Sequence, residues 1–208
     1  MEVELIDSSG GDISIVNSAR VSFAKEVESI DEKDEKLITY LAKHQHMTPF
    51  RHNFIQLRCS VPLFLARQLM KHQAGLTWNE VSRRYVDDMP EFHYPKEWRG
   101  RPEGGIKQGS SGVVEGLDGM YEAFVGTCKS LYEELLERNV APEMARMVLP
   151  QSMMVDFIWS GNLLAFSHVY NLRAGTGAQE EAKQFADLLD KAVSPAFPVG
   201  WEALKNPH

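Results

Sequence analysis

From Phe54 to Val61 the chain alternates without a break. Ile55, Leu57, Cys59 and Val61 fall on one face, and Phe54, Gln56, Arg58 and Ser60 on the other. Side chains alternate sides along an extended backbone, so the stretch Asn53 to Val61 reads as a strand with one apolar and one wet face. Pro62 follows at once. It has no backbone N–H to lose in the first turn of a helix, so a helix over Pro62 to about Gln73 is expected. A half-buried strand feeding directly into a helix requires a sheet with helices on its apolar face, which is an α+β architecture.

The remaining pattern agrees with that class. Met1 to Asp7 alternates apolar and acidic residues as a strand does, and Asp31 to His44 has Leu37, Ile38, Tyr40 and Leu41 at helical spacing until Thr48-Pro49. Val113 to Arg138 reads as one long amphipathic helix, Pro142 to Leu149 as a short one closed by Pro150, and Val155 to Trp159 as a strand. Asn162 to Arg173 and Gln179 to Val193 read as helices, and Pro195 and Pro198 mark an exposed C-terminal tail. Residues 96 to 112 are rich in Gly and Pro and carry Arg99, Arg101 and Lys107, the composition of a mobile surface loop that could act as a lid. No repeat or internal boundary is visible. The expectation is a single domain over 1–208, helix-rich with a small, mostly antiparallel sheet.

With 208 residues the chain can bury a sizeable core, and 43% hydrophobic with 25% charged residues is ordinary for a globular domain. No apolar run approaches the roughly 20 residues of a membrane helix. The start MEVELIDSSG lacks the basic-then-apolar layout of a secretion signal, which sets the expected compartment as the cytoplasm. A net charge of −7 speaks against a general nucleic-acid surface, yet Arg67, Lys71, Arg83 and Arg84 cluster. A local cationic patch on an acidic protein suits a small anionic ligand.

The patch is the densest run of chemistry in the chain. Arg67 and Lys71 share a helical face, as do Gln68 and His72, and Ser82, Arg83 and Arg84 add hydroxyl and guanidinium donors suited to a phosphate. The segment Gln73 to Arg83 also admits a rival reading as a helix-turn-helix, with Gly75 in the turn and a recognition helix after it, which would make the protein a DNA-binding regulator. His44, His46 and His52 lack the spacing of a metal set, so no metal is expected. Arg146 and Arg173 each stand at the end of an apolar helix, where a cation requires an anion or carbonyls as partners. Cys59 lies on the apolar face of its strand and Cys128 in mid-helix, so neither has the environment of a thiolate nucleophile.

Taken in order, these blocks resemble the flavin-dependent thymidylate synthases. The similarity runs from Ala19-Arg20-Val21-Ser22-Phe23 through His46-Met47-Thr48-Pro49-Phe50, Ala66-Arg67-Gln68 and Asn79-Glu80-Val81-Ser82-Arg83-Arg84-Tyr85. It continues in Ala145-Arg146-Met147-Val148-Leu149-Pro150, Asn171-Leu172-Arg173-Ala174 and Ala178-Gln179. The family signature is Arg-His-Arg, seven residues, then Ser; here it reads Lys71-His72-Gln73, with eight residues before Ser82. Gly177 stands where many relatives have histidine, and His168 where asparagine is frequent.

The resemblance implies reductive methylation of dUMP to dTMP, with FAD as cofactor and NADPH and 5,10-methylenetetrahydrofolate as co-substrates, in a homotetramer whose sites are shared between subunits. It implies a dUMP site of Gln68, Lys71, Glu80, Ser82, Arg83, Arg84, Arg146 and Arg173, with Arg84 and Arg146 on the phosphate. The resemblance also implies that Arg173 is the catalytic residue, contacting the uracil and favouring its N3-ionised form. The FAD set it implies is Ser22, His46, Thr48, Lys71, His72, Gln73, Glu80, Asn162 and His168. Lowering a bound group's pKa by two units takes roughly 2.7 kcal/mol, about what one charged hydrogen bond in a partly dry site supplies.

Overall fold

In chain order the protein forms β1 (Glu2–Ser9), α1 (Gly11–Ala19), α2 (Glu32–Lys43), β2 (Phe54–Pro62), α3 (Leu63–Leu69) and β3 (Leu76–Glu80). These are followed by β4 (Arg99–Gly100), β5 (Ser111–Val113), α4 (Met120–Glu137), α5 (Pro142–Ala145), β6 (Met154–Gly161), α6 (Leu163–Ala174), α7 (Glu180–Val193) and α8 (Pro198–Leu204). Short 3-10 turns occupy Val21–Phe23, Thr48–Arg51 and Arg146–Val148. The computed structural model describes residues 1–104, 109–117 and 119–205.

The alternating segment is β2, and its register explains the alternation. It lies between β1 and β6 in an antiparallel sheet of order β1-β2-β6-β3, with Leu57 opposite Trp159, Cys59 opposite Phe157 and Val61 opposite Val155. All six of those side chains are buried, as are Ile15, Ile38, Leu65, Phe166, Phe185 and Leu189 from the helices over that face. The other face keeps Arg58, which is paired with Glu4 at 3.0 Å. One core therefore joins the sheet to its helical layer, and the class is α+β, helix-rich with a small antiparallel sheet.

Several local expectations are corrected. The long helix begins at Met120, not at Val113, because Gly116 and Gly119 sit at φ +80° and +74°, where the chain turns left-handed. Val113 instead closes the two-stranded ribbon β4–β5. The helix after Pro62 stops at Leu69, and Pro142 opens only one helical turn before the 3-10 turn at Arg146. The C-terminal segment is no exposed tail. Pro195 and Pro198 are exposed, but Phe197, Trp201 and Leu204 are buried in the core. Asp12 of α1 fixes α8 there, accepting from the backbone N–H groups of Val199 and Gly200 at 2.8 Å each.

The proposed helix-turn-helix is overturned. After Gly75, at φ +75°, the chain enters β3 and pairs with β6, Trp78 stacking on Phe157 at 3.5 Å. β-branched and aromatic residues at Thr77 and Trp78 favour that extended state, and a strand locked in a sheet offers no recognition helix. No helix among the described residues is long and apolar enough to cross a membrane.

Candidate active site

β2 and β6 each lead directly into a helix, α3 and α6, and the two helices end side by side. There the Arg173 guanidinium, half-buried, donates from Nη2 to the Gln68 carbonyl at 3.1 Å and meets His72 Nε2 at 3.0 Å. A guanidinium can only donate, so His72 is neutral in this contact and carries its proton on Nδ1. Burial pulls the His72 pKa down, and the charge of Arg173 and the nearby His168 lower it further. Arg173 Nε is buried with no partner, and burial lowers the Arg173 pKa too. The arginine is thus gripped by two partners, keeps one buried N–H unpaired, and lines a cavity of about 570 Å³ bounded by Gln68, Gly109 and the 171–179 segment.

A chain of side chains extends from this point. Gln68 Nε2 donates to Gln179 Oε1 at 2.6 Å, Gln179 Nε2 donates to Glu181 Oε2 at 2.8 Å, and Arg99 donates to Glu181 Oε1 at 2.5 Å. Burial pushes the Glu181 pKa up, but the bonds from Arg99, its own backbone and Gln179 outweigh it and hold the carboxyl below its ordinary value. Gln179, Glu181 and Arg99 were absent from the sequence-derived set. Gln179 stands in the Ala178-Gln179 block, but nothing in the sequence connects Arg99 with residue 181.

The expected flavin residues divide. Lys71, His72 and Gln73 form the turn after α3, with Lys71 and Gln73 exposed. The Asn162 amide lies against that turn, close enough that a methyl on Gly75 would meet it at 2.9 Å, and its Oδ1 caps α6 by accepting from Ala165 N–H at 3.0 Å. His168 projects exposed from the same helix, and Thr48 is exposed on the 3-10 turn. Ser22 and His46 are exposed beyond α1 and α2, with His46 stacked on Tyr40 at 6.3 Å. Neither makes a hydrogen bond to the Arg173 cluster among the described residues. Glu80 lies on the inner side of β3, accepting from Trp78 Nε1 at 3.3 Å, and burial raises its pKa.

The expected phosphate ligands are likewise not gathered around Arg173. Arg84 is exposed, its Nε on Ser82 Oγ at 3.1 Å and its guanidinium 5.0 Å above the Tyr85 ring. Arg83 turns back to Asp88, and Arg146 is exposed with Nε on the Glu143 carbonyl at 3.2 Å. Beside them Tyr85 and Met147 are 78% and 70% exposed. Among the described residues neither Arg84 nor Arg146 has a carboxylate partner, and each is followed in the chain by an exposed apolar side chain, Tyr85 and Met147. No hydrogen bond among the described residues ties Arg84 or Arg146 to the Arg173 cluster.

Both cysteines are free and buried. Cys59 is fully enclosed and burial drives its thiol pKa far up, the opposite of a nucleophile's environment.

The chain is similar to known proteins over nearly its whole length. The sequence profile of the Thy1 family, described as thymidylate synthase complementing protein, matches residues 4–199. A flavin-dependent thymidylate synthase of Thermosipho africanus is 37% identical over 97% of this chain and 89% of its own, and one of Kosmotoga olearia is 36% identical over 98% and 90%. Among solved structures, the UMP/dUMP methylase PolB of Streptomyces cacaoi bound with 5-Br dUMP superposes with a TM-score of 0.85. It is 30% identical, over 97% of this chain and 93% of that one. The same methylase bound with 5-Br UMP gives 0.84 at 28% identity. An alternating strand, paired helix ends and an arginine held at their junction thus belong to a chain of known kind: it is a member of the Thy1 family, the flavin-dependent thymidylate synthases.

Proposed function

We propose that this protein makes dTMP by reductive methylation of dUMP, with FAD as redox cofactor, 5,10-methylenetetrahydrofolate as one-carbon donor and NADPH as reductant. The observation that carries the reading is Arg173, gripped by Gln68 and His72 with a buried donor left unpaired at the wall of a cavity. A cation so placed would hold the uracil edge and stabilise its N3-ionised form. Gln68 and Lys71 would bind the same nucleotide from α3 and the turn after it, while Glu80, Ser82, Arg83, Arg84 and Arg146 would come from a neighbouring subunit, with Arg84 and Arg146 on the phosphate. A site shared in this way requires an oligomer, which we take to be a homotetramer.

The donor set fits a flavin dinucleotide. Lys71 offers a cation to a pyrophosphate, and Gln73, Asn162, His72 and His168 offer amides and imidazoles along one edge, with Thr48 beside them. Ser22, His46 and Glu80 would complete the enclosure. When bound, FAD supplies the hydride chemistry. The protein's residues bind, orient and exclude water. We further take 1–208 as one domain acting in the cytoplasm, with 96–112 as its lid; residues 105–108 of that segment lie outside the described residues.

The test is an FAD titration of the purified protein with and without dUMP, read by absorption and thermal stability. A flavin spectrum and a rise in melting temperature are expected. No FAD uptake in the presence of dUMP would end the enzyme reading. Because the similar methylase was solved with analogues of both UMP and dUMP, UMP belongs in the same titration, and uptake promoted by both nucleotides would widen the substrate to the ribonucleotide.

A further inference from the structure

Glu181 does not line the Arg173 cavity, yet it decides which atom Gln68 has free there. It is 5% exposed, and its carboxylate accepts from Arg99 on Oε1 at 2.5 Å and from Gln179 Nε2 on Oε2 at 2.8 Å. Burial raises its pKa, but the bonds from Arg99, its own backbone and Gln179 outweigh this and keep it ionised at neutral pH. An ionised carboxylate only accepts hydrogen bonds, and Arg99 supplies the charge that lets one stay buried. Gln179 must therefore turn its amide nitrogen to Glu181, which leaves Oε1 for Gln68. Gln68 must bring its own nitrogen to that oxygen, as it does at 2.6 Å.

The consequence falls on the cavity wall. Gln68 Oε1 has no partner among the described residues, and unlike Arg173 Nε it is not sealed from solvent. Gln68, Gln179 and Arg173 line the same cavity of about 570 Å³. A guanidinium donor and a carbonyl acceptor thus sit on one wall, the acceptor on the residue whose backbone anchors the guanidinium. A glutamine amide has two nearly equivalent settings, half a turn apart about its terminal bond. The contact between Gln68 and Gln179 is made equally well with both amides reversed. Only the carboxylate at the far end selects one sense.

We propose that Glu181 is a positioning residue: through Gln179 it holds Gln68 with Oε1 free, so that the wall beside Arg173 receives a hydrogen-bond donor of the bound nucleotide. Away from its phosphate, dUMP carries such donors at the uracil N3–H and the 3′-hydroxyl. With the relay reversed, Gln68 would set a second donor beside Arg173 and leave either group without an acceptor there. The orienting role stands on the hydrogen bonds alone. Its effect on binding rests on the nucleotide reading of the Arg173 end.

The experiment uses the full chain with FAD present, and reads dUMP affinity by calorimetry and the Gln68 side-chain amide by NMR of isotope-labelled glutamine. Glu181→Gln removes the fixed acceptor at nearly constant shape. It should weaken dUMP about fivefold, the size of one lost hydrogen bond, and should broaden or double the Gln68 amide signal. Gln179→Leu keeps the Glu181 charge but breaks the relay, and should cost as much. Combining Gln179→Glu with Glu181→Gln moves the carboxylate one place nearer. The new amide can accept from Arg99 and donate to that carboxylate, which again only accepts from Gln68 Nε2. Affinity and amide signal should both return to those of the parent, a recovery that a purely structural ion pair would not show. 2′,3′-Dideoxyuridine monophosphate identifies the donor: a Glu181→Gln loss that vanishes with it assigns the 3′-hydroxyl, and one that persists assigns N3–H. Thermal melts separate loss of fold from loss of orientation. An unmoved Gln68 signal or unchanged dUMP affinity in Glu181→Gln, full affinity in Gln179→Leu, or a folded double variant without recovery would each overturn the proposal. A parent protein that binds no dUMP strikes the nucleotide reading instead, and the amide signal still decides the orienting role.

Discussion

Arg173 was legible in the sequence as a cation ending an apolar helix, but its partners were not. The Gln68 carbonyl and His72 lie a hundred residues upstream, and only the meeting of the α3 and α6 ends brings them to it. If the arginine holds the uracil, Arg173→Ala leaves the fold and FAD uptake intact and lowers dTMP formation at least about a hundredfold, the loss of one or two charge-assisted bonds. Steady-state kinetics beside an FAD titration checks this. His72 adds a pH dependence. Its pKa lies below the ordinary 6.5, so the folded protein binds fewer protons there than the unfolded chain once pH falls below that value. The stability from neutral His72 is present above 6.5 and drains away as pH drops towards the folded pKa, and the acceptor for Arg173 goes with it. His72→Gln, which keeps an acceptor near the Nε2 position, should flatten this acid loss of activity while retaining turnover at neutral pH. A pH–rate profile identical to that of the parent would remove His72 from the account. The pair Cys59→Ala and Cys128→Ser should cost about 1–3 kcal/mol by chemical denaturation, the usual range for core changes, and leave methylation in place.

At the scale of elements, the strands and helices whose pattern repeats were readable, since periodicity is set by which face is buried. What failed was the turn chemistry. Gly75 reads equally well as the turn of a helix pair or as the left-handed entry to a strand. The choice falls to β3 because Trp78 finds Phe157 and Trp159 across the sheet, a tertiary contact that no local window contains. Gly161 is the other half of that solution, because a methyl there would collide with the Gly75 carbonyl. Gly161→Ala should therefore destabilise the protein by about 1–3 kcal/mol. It should also weaken nucleotide binding, since β3 carries Glu80 and leads to Ser82; thermal melts with a dUMP titration would show both. The C-terminal helix escaped notice for a similar reason. Pro195 and Pro198 look like a loop until Asp12, nearly two hundred residues away, caps it, and Asp12→Ala should lose about 0.5–2 kcal/mol in the same melts.

At the scale of the whole molecule, no hydrogen bond among the described residues ties Arg84 or Arg146 to the Arg173 cluster. Arg173 lines a cavity, and Arg84 and Arg146 stand exposed, followed in the chain by the exposed Tyr85 and Met147. On the proposed reading, a neighbouring subunit and the nucleotide phosphate would meet at that exposed surface. Light scattering should give a mass near four times 23.5 kDa at micromolar protein, and a monomer mass would contradict the shared site. The central claim, a methylation that depends on flavin and needs no thiolate, is tested most directly by one assay. Flavin-free and FAD-loaded protein, each in the parent sequence and in the Cys59→Ala, Cys128→Ser variant, are given dUMP, 5,10-methylenetetrahydrofolate and NADPH, and dTMP is quantified. The account predicts dTMP from both FAD-loaded proteins at comparable rates and none from the flavin-free ones. Formation of dTMP without FAD, or its loss in a folded, FAD-loaded double variant, would contradict it.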